Sequence, residues 1–216
     1  RVWNSSTATW GAATPAGTLA TFSDIPRFVT VKTAPVLREE AIMGSQSDQG
    51  VLSIMRWNGS AWSQLGVNIS VGITANYMGF DIAYENTSGN AIVVVGGAVD
   101  PAYYVWNGTT WTGPTTITQA TKTTGVVRWI KLASQRTAGS NEITLAYADA
   151  NGDLNAIIWS GSTWTEQTPV VGALSTAIEN NGGLTTMRAF DLEYESLSGD
   201  LLIVWGNNGA VDPRYI

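Results

Sequence analysis

The segment "YYVWNGTTW", residues 103–111, sets Trp106 and Trp111 five residues apart around an Asn-Gly pair. The same figure returns as "RWNGSAW" (56–62) and "IWSGSTW" (158–164), and in a stretched form as "VWNSSTATW" (2–10). The second Trp of each copy falls at 10, 62, 111 and 164, at intervals of 52, 49 and 53 residues. A chain that repeats at a period of about 50 residues is an array of similar units, each burying its apolar face against the next.

Each unit reads as four short strands. In the third, "VRWIKLAS" (127–134) and "EITLAYAD" (142–149) alternate apolar and polar residues, an Asn-Gly turn follows, and "LNAIIW" (154–159) leads into the Trp hairpin. A second layer of likeness pairs alternate units. "FDIAYENTSGNAIVVVGGAVDP" (80–101) matches "FDLEYESLSGDLLIVWGNNGAVDP" (190–213), and residues 27–57 match 128–159, so the units run A-B-A-B. Links such as "GPTTITQATKTTG" (113–125) are long for hairpin loops but suit a crossing from the outer edge of one blade to the inner strand of the next. A solenoid or a two-sheet sandwich would not need that link in every unit. The expected fold is all-β, a single β-propeller domain of four blades with four antiparallel strands each. The blades are read as 11–62, 63–111, 112–164 and 165–216, with residues 1–10 completing the fourth.

A two-residue Asn-Gly turn would put Trp106 opposite Thr109 and Tyr104 opposite Trp111, with both Trp rings on one face in diagonal positions. Rings placed so in every unit pack between neighbouring blades. Their functional alternative is sugar stacking, which nominates Trp10, Trp62, Trp111 and Trp164 as ligand-binding residues. The ends carry a further clue. "AVDPRYI" (210–216) stops where "AVDPAYY" (98–104) runs on into its hairpin, and Arg1, Val2, Trp3 and Trp10 supply that missing hairpin. Asp212, Pro213, Arg214, Tyr215 and Ile216 would then meet the first segment. The pairing is open between one molecule, neighbouring copies and a longer tandem chain.

Composition bounds the chemistry. The chain has neither Cys nor His, so disulfides, Cys/His nucleophiles, Ser/His/Asp triads and ordinary zinc sites are excluded. A net charge of −6 argues against nucleic acid and against anionic membrane surfaces. The longest apolar run, "AIVVVGGAV" (91–99), is too short to span a bilayer. "DANGD" (149–153) has part of a calcium-loop pattern but reads as a plain turn. Asp81, Glu85, Asp191, Glu193 and Glu195 read as a solvated strand face, with channel carboxylates of a glycosidase as a distant alternative. Sequons at Asn4, Asn58, Asn68, Asn86 and Asn107, together with few Lys and no Cys, agree with an exported, extracellular or cell-surface protein.

Through "W-N-G-x-x-W" and "Y-E-x-x-S-G-[ND]", the chain resembles tandem propeller-type repeats of prokaryotic surface proteins and, more loosely, tectonin-like lectin propellers. The resemblance implies an extracellular, non-catalytic propeller without cofactor or metal. The expected function is a structural or adhesive module, a filament subunit joined to other copies through its terminal strands. The alternative is a carbohydrate-binding lectin whose partners are glycans.

Overall fold

The computed structural model of the chain describes residues 1–16, 25–35, 39–73, 76–119, 124–166, 173–176, 178 and 187–216. Among them every regular element is a β-strand. A hairpin of β1 (Trp3–Asn4) and β2 (Thr9–Trp10) comes first. Blade 1 follows with β3 (Pro26–Thr33), β4 (Ala41–Ser47), β5 (Val51–Trp57) and β6 (Trp62–Gln64), and β7 (Ile69–Ser70) pairs onto β5. Blade 2 holds β8 (Phe80–Tyr84), β9 (Ala91–Val95), β10 (Ala102–Trp106) and β11 (Trp111–Thr116). Blade 3 holds β12 (Val127–Ser134), β13 (Ile143–Asp149), β14 (Leu154–Trp159) and β15 (Trp164–Thr165). Blade 4 has three strands, β16 (Phe190–Tyr194), β17 (Leu201–Trp205) and β18 (Arg214–Tyr215).

All pairings within blades are antiparallel, in the chain order that short hairpins impose. Inner strands neighbour one another in sequence order, β3 beside β8, β8 beside β12, and β12 beside β16. The burial pattern explains the composition of the middle blades. In β9, Ala91, Val93 and Val95 face blade 1 while Ile92 and Val94 face blade 3, so the strand is apolar at every position. A sheet covered on both faces needs no alternation. Blades are seated very closely: a Cβ on Gly44 of β4 would fall 2.3 Å from the ring of Phe80 in the next blade. Each fully buried Ile or Val between blades contributes about 1.5–3 kcal/mol.

The end blades do not share such a core. Val29 and Val31 of β3 are 58% and 55% exposed, and Leu202 of β17 is 50% exposed. Among the described residues, four sheets thus stand side by side in an arc whose first and last members keep apolar side chains exposed. Near its axis, Trp129 meets Phe28 and Tyr77 edge-on, each at 6.1 Å, and the Arg128 guanidinium sits 4.7 Å from the Tyr77 ring centre.

Two expectations are corrected. Among the described residues, 1–10 pair with one another and not with blade 4 of their own molecule, which leaves pairing with a neighbouring copy or in a longer tandem chain open. Their hydrogen bonds are satisfied locally, with Trp3 paired to Trp10, Asn4 to Thr9, and the Gly11 N–H donating to Val2 O. The hairpin register also differs, by two residues in the partner strand. Trp106 pairs directly with Trp111, Trp57 with Trp62, and Trp159 with Trp164. The cause is the Asn side chain: Asn107 Oδ1 accepts the N–H groups of Thr109 and Thr110 at 3.0 and 2.8 Å, which closes the turn around Gly108 and Thr109. Gly108 has φ 94°, and Gly59 and Gly161 take the same conformation.

Candidate functional site

The junction between blades 1 and 2 gathers a carboxylate, a guanidinium and four aromatic rings. Glu40, just before β4, is buried, and its carboxylate accepts the Arg56 Nε–H at 2.7 Å. The Trp106 indole N–H reaches both Glu40 oxygens at 3.1 Å, and the Tyr84 hydroxyl donates to Oε1 at 3.2 Å. Arg56 also lies 5.3 Å from the Trp106 ring centre. Its side chain keeps 29% of its surface open, whereas that of Glu40 has none. Alternation along β5 turns Arg56 to the same side as Leu52 and Ile54, toward blade 2. Beyond Trp106, Tyr104 stacks on Trp111 with ring centres 5.2 Å apart and planes 9° from parallel. Both rings are half-buried at the edge of the inter-blade core.

Such a cluster can grip a small polar ligand with an apolar side. A guanidinium ion-paired through Nε has further N–H groups to offer hydroxyls, a carboxylate accepts from them, and flat rings cover C–H surface. The next junctions keep the carboxylate and aromatic parts without the cation. Glu85 Oε1 accepts the Trp159 indole N–H at 2.6 Å, and Glu142 Oε1 accepts the Tyr194 hydroxyl at 2.8 Å. Position 158, which corresponds to Arg56 in the A unit, is Ile.

The five acids split: Asp191, Glu193 and Glu195 are exposed, as expected of a solvated face, while Asp81 and Glu85 are buried, against expectation. Asp81 is buried, accepting the Ile82 N–H at 2.8 Å and the Leu132 N–H of blade 3 at 2.9 Å. Burial raises its pKa despite those amides. Glu85 is buried against Trp159. Asp191 pairs with Lys131 and Arg188, Glu193 lines a cleft of about 450 Å³ with Lys32, Lys131 and Arg136, and Glu195 sits exposed on a turn. These five carboxylates are thus divided among separate tasks. "DANGD" is a turn in which Asp149 Oδ1 accepts the N–H groups of Asn151 and Asp153. Among the described residues there is no cluster of three or more acids placed to hold a metal ion.

The nominated Trp residues are spread along the outer rim. Trp10 is 63% exposed against Trp3, and Trp62 lies half-buried beside Trp57. Trp111 joins the blade 1–2 cluster, and Trp164 packs half-buried on Trp159 and Tyr103. Of the four, Trp111 packs on the inter-blade core that holds Trp106, and Trp106 is the ring that meets the Glu40–Arg56 pair. Glu40 and Arg56 carried no sequence signal of a joint role, since Trp106 stands 66 residues from Glu40.

Solved structures share the fold. A fungal lectin from Aleuria aurantia, described as a six-bladed β-propeller with a novel fucose recognition mode, superposes with TM-score 0.50 at 14% identity, over 87% of this chain and 60% of that one. The BP39L lectin of Burkholderia pseudomallei superposes with TM-score 0.55 at 15% identity, over 96% and 60%. The fold is a β-propeller. A triple mutant of AofleA from Arthrobotrys oligospora gives TM-score 0.52 at 13% identity, over 87% and 56%. This propeller therefore spans about three-fifths of the length of those structures. No protein-family model and no curated protein matches its sequence.

Proposed function

We propose that the chain is a non-catalytic, lectin-like propeller working outside the cell or at its surface, and that the blade 1–2 junction holds a neutral glycan. The observation that carries the reading is the Arg56–Glu40 pair set among Tyr84, Tyr104, Trp106 and Trp111. The likeness in fold to propellers described as lectins supports it. Arg56 presents N–H donors to a pair of sugar hydroxyls, and the Tyr104–Trp111 stack covers the apolar edge of the ring.

A glycan array followed by titration calorimetry tests this. The wild-type chain should bind at least one neutral glycan. Arg56→Lys keeps the charge that Glu40 needs but loses the planar fork, and should weaken binding tenfold or more, about 1.4 kcal/mol. Trp111→Ala should do the same with the melting curve intact, while Trp10→Ala should leave binding unchanged. Absence of any bound glycan sinks the proposal, and lost folding in Trp111→Ala makes that ring a packing residue.

A second reading, assembly with other copies through the terminal strands, rests on the edge of β18. Arg214 and Tyr215 pair with β17 on one side, and the outer edge of β18 has no strand partner among the described residues. Tyr215 is 77% exposed, Asp212, Pro213 and Ile216 are exposed beside it, and Arg1, Val2 and Trp3 stand exposed in the first hairpin. Deleting residues 1–10 should abolish any polymer seen by negative-stain microscopy. A wild-type chain that stays monomeric when concentrated ends this reading.

A further inference from the structure

The surface between blades 2 and 3 has a copy on the outside of the arc. On the blade 2 side, Ile92 and Val94 are fully buried, Asp81 takes the Leu132 N–H, Glu85 takes the Trp159 indole, and Tyr103 lies 5.4 and 5.9 Å from the rings of Trp159 and Trp164. On the blade 3 side they meet Ile130 and Leu132, 1% and 2% exposed. Blade 4 repeats the first set. Leu202 and Val204 occupy the places of Ile92 and Val94, Asp191 and Glu195 those of Asp81 and Glu85, and Tyr215 that of Tyr103. Blade 1 repeats the second set. Val29 and Val31 occupy the places of Ile130 and Leu132, and Trp57 and Trp62 those of Trp159 and Trp164.

At the ends of the arc both sets face outward. Leu202 and Val204 are 50% and 37% exposed, Val29 and Val31 are 58% and 55% exposed, and Tyr215 is exposed. The polar parts are held ready as well. Glu85 keeps Oε2 on its own turn, accepting from Ser88 and Asn90, and gives Oε1 to the next blade's indole. Glu195 likewise keeps Oε2 on its turn, accepting the N–H groups of Leu197 and Ser198 at 2.7 and 2.5 Å. Those amides, Ser198 first, hold the Glu195 carboxyl below its ordinary pKa, so it meets an incoming donor as an anion. Asp191 Oδ1 accepts its own Leu192 N–H as Asp81 Oδ1 accepts that of Ile82. On the blade 4 side Glu193 replaces Ala83, and both positions line the axial cleft, where a carboxylate stays wet; on the blade 1 side Ala41, Met43, Ser45 and Met55 stand where the template has Ile143, Leu145, Tyr147 and Ile157.

We infer that the outer face of blade 4 docks the outer face of blade 1 of a second copy, head to tail, with the Trp57 indole of one copy donating to Glu195 of the other. Two non-equivalent faces that fit each other make a heterologous contact, which closes into a ring or runs on as an array. The blade 2–3 seam is the template for the occupant. This contact uses faces of blades and needs neither glycan nor exchange of residues 1–10.

Sedimentation velocity over a concentration series tests it on the whole chain. Wild type should shift from one copy to two or more as concentration rises. Leu202→Lys, opposite Glu193 in the β16–β17 ladder, and Val31→Lys should each remain monomeric with unchanged melting curves. Mixed together, these two variants keep one sound face each and should form a dimer and nothing larger. If either fails to fold, Val204→Lys or Val29→Lys takes its place. A monomeric wild type, or a mixture that stays monomeric, overturns the inference. Association that survives both lysines but vanishes without residues 1–10 assigns it to the terminal strands instead. Glycan binding unaffected by any of these variants leaves the site between blades 1 and 2 standing by itself.

Discussion

Glu40→Ala lowers the unfolding free energy by about 3–5 kcal/mol, the cost of breaking a buried ion pair from one side. The carboxylate collects the Arg56 Nε–H, the Trp106 indole and the Tyr84 hydroxyl, two of them from the next blade. Without it the indole N–H becomes a buried donor that has lost both its acceptor oxygens, at a cost of about 1–3 kcal/mol, and the phenol loses its bond to Oε1. Arg56 loses less, because its partly open side chain can hydrate. At roughly 2–4 °C per kcal/mol for a chain of this size, the melting temperature should fall by about 10 °C. Trp106→Phe keeps most of the ring and removes only the donor, so it should cost far less. Equal losses in the two variants would mean that the carboxylate contributes nothing and that packing alone joins the blades.

Gly97→Ala should be worse tolerated than Gly139→Ala, although both glycines have φ +87°. The shared backbone conformation costs an L-residue about 1–2 kcal/mol at either position. At Gly139 nothing lies within 4 Å of a new Cβ, so the cost stops there. At Gly97 the Cβ would fall 1.6 Å from Val71 O, a backbone atom of the link between blades 1 and 2. Gly97 N–H also donates to Val127 O at 3.0 Å, tying the β9–β10 loop of blade 2 to blade 3. Relief requires moving one of these segments, and Gly97→Ala should join the small class of substitutions that cost more than about 4 kcal/mol. Chemical denaturation of the two variants side by side gives the answer. Matching midpoints would show that the close approach is readily relaxed.

The architecture was legible because its signal is periodic. One Trp hairpin per unit, an A-B alternation and a long link after each outer strand are all visible without knowing any contact. The register of the hairpin was not, because "NG" also marks a turn in which Asn107 acts through its side chain, closing the loop one residue further on. Glu85 was misread as solvated, and Glu40 drew no reading at all, for a different reason. A Glu surrounded by polar residues in sequence looks solvated, yet the partners that bury Glu40 and Glu85 sit 66 and 74 residues away on the next blade. Nothing local to "REEA" or "YENT" announces an indole. The Arg56 cluster was hidden likewise, since its cation, anion and rings come from one loop and four strands and converge only when two blades pack.

The outermost strands carry their own consequence. β6 has three residues, β15 has two, and β11, with six, contains Pro114, which has no N–H to donate. A neighbour approaching the rim sideways finds too few ladder positions for stable cross-β pairing. A protein so rich in β-structure, with only 13% charged residues, would otherwise be a candidate for precipitation as disordered sheet. The brevity of its rim strands restricts that route where low charge does not.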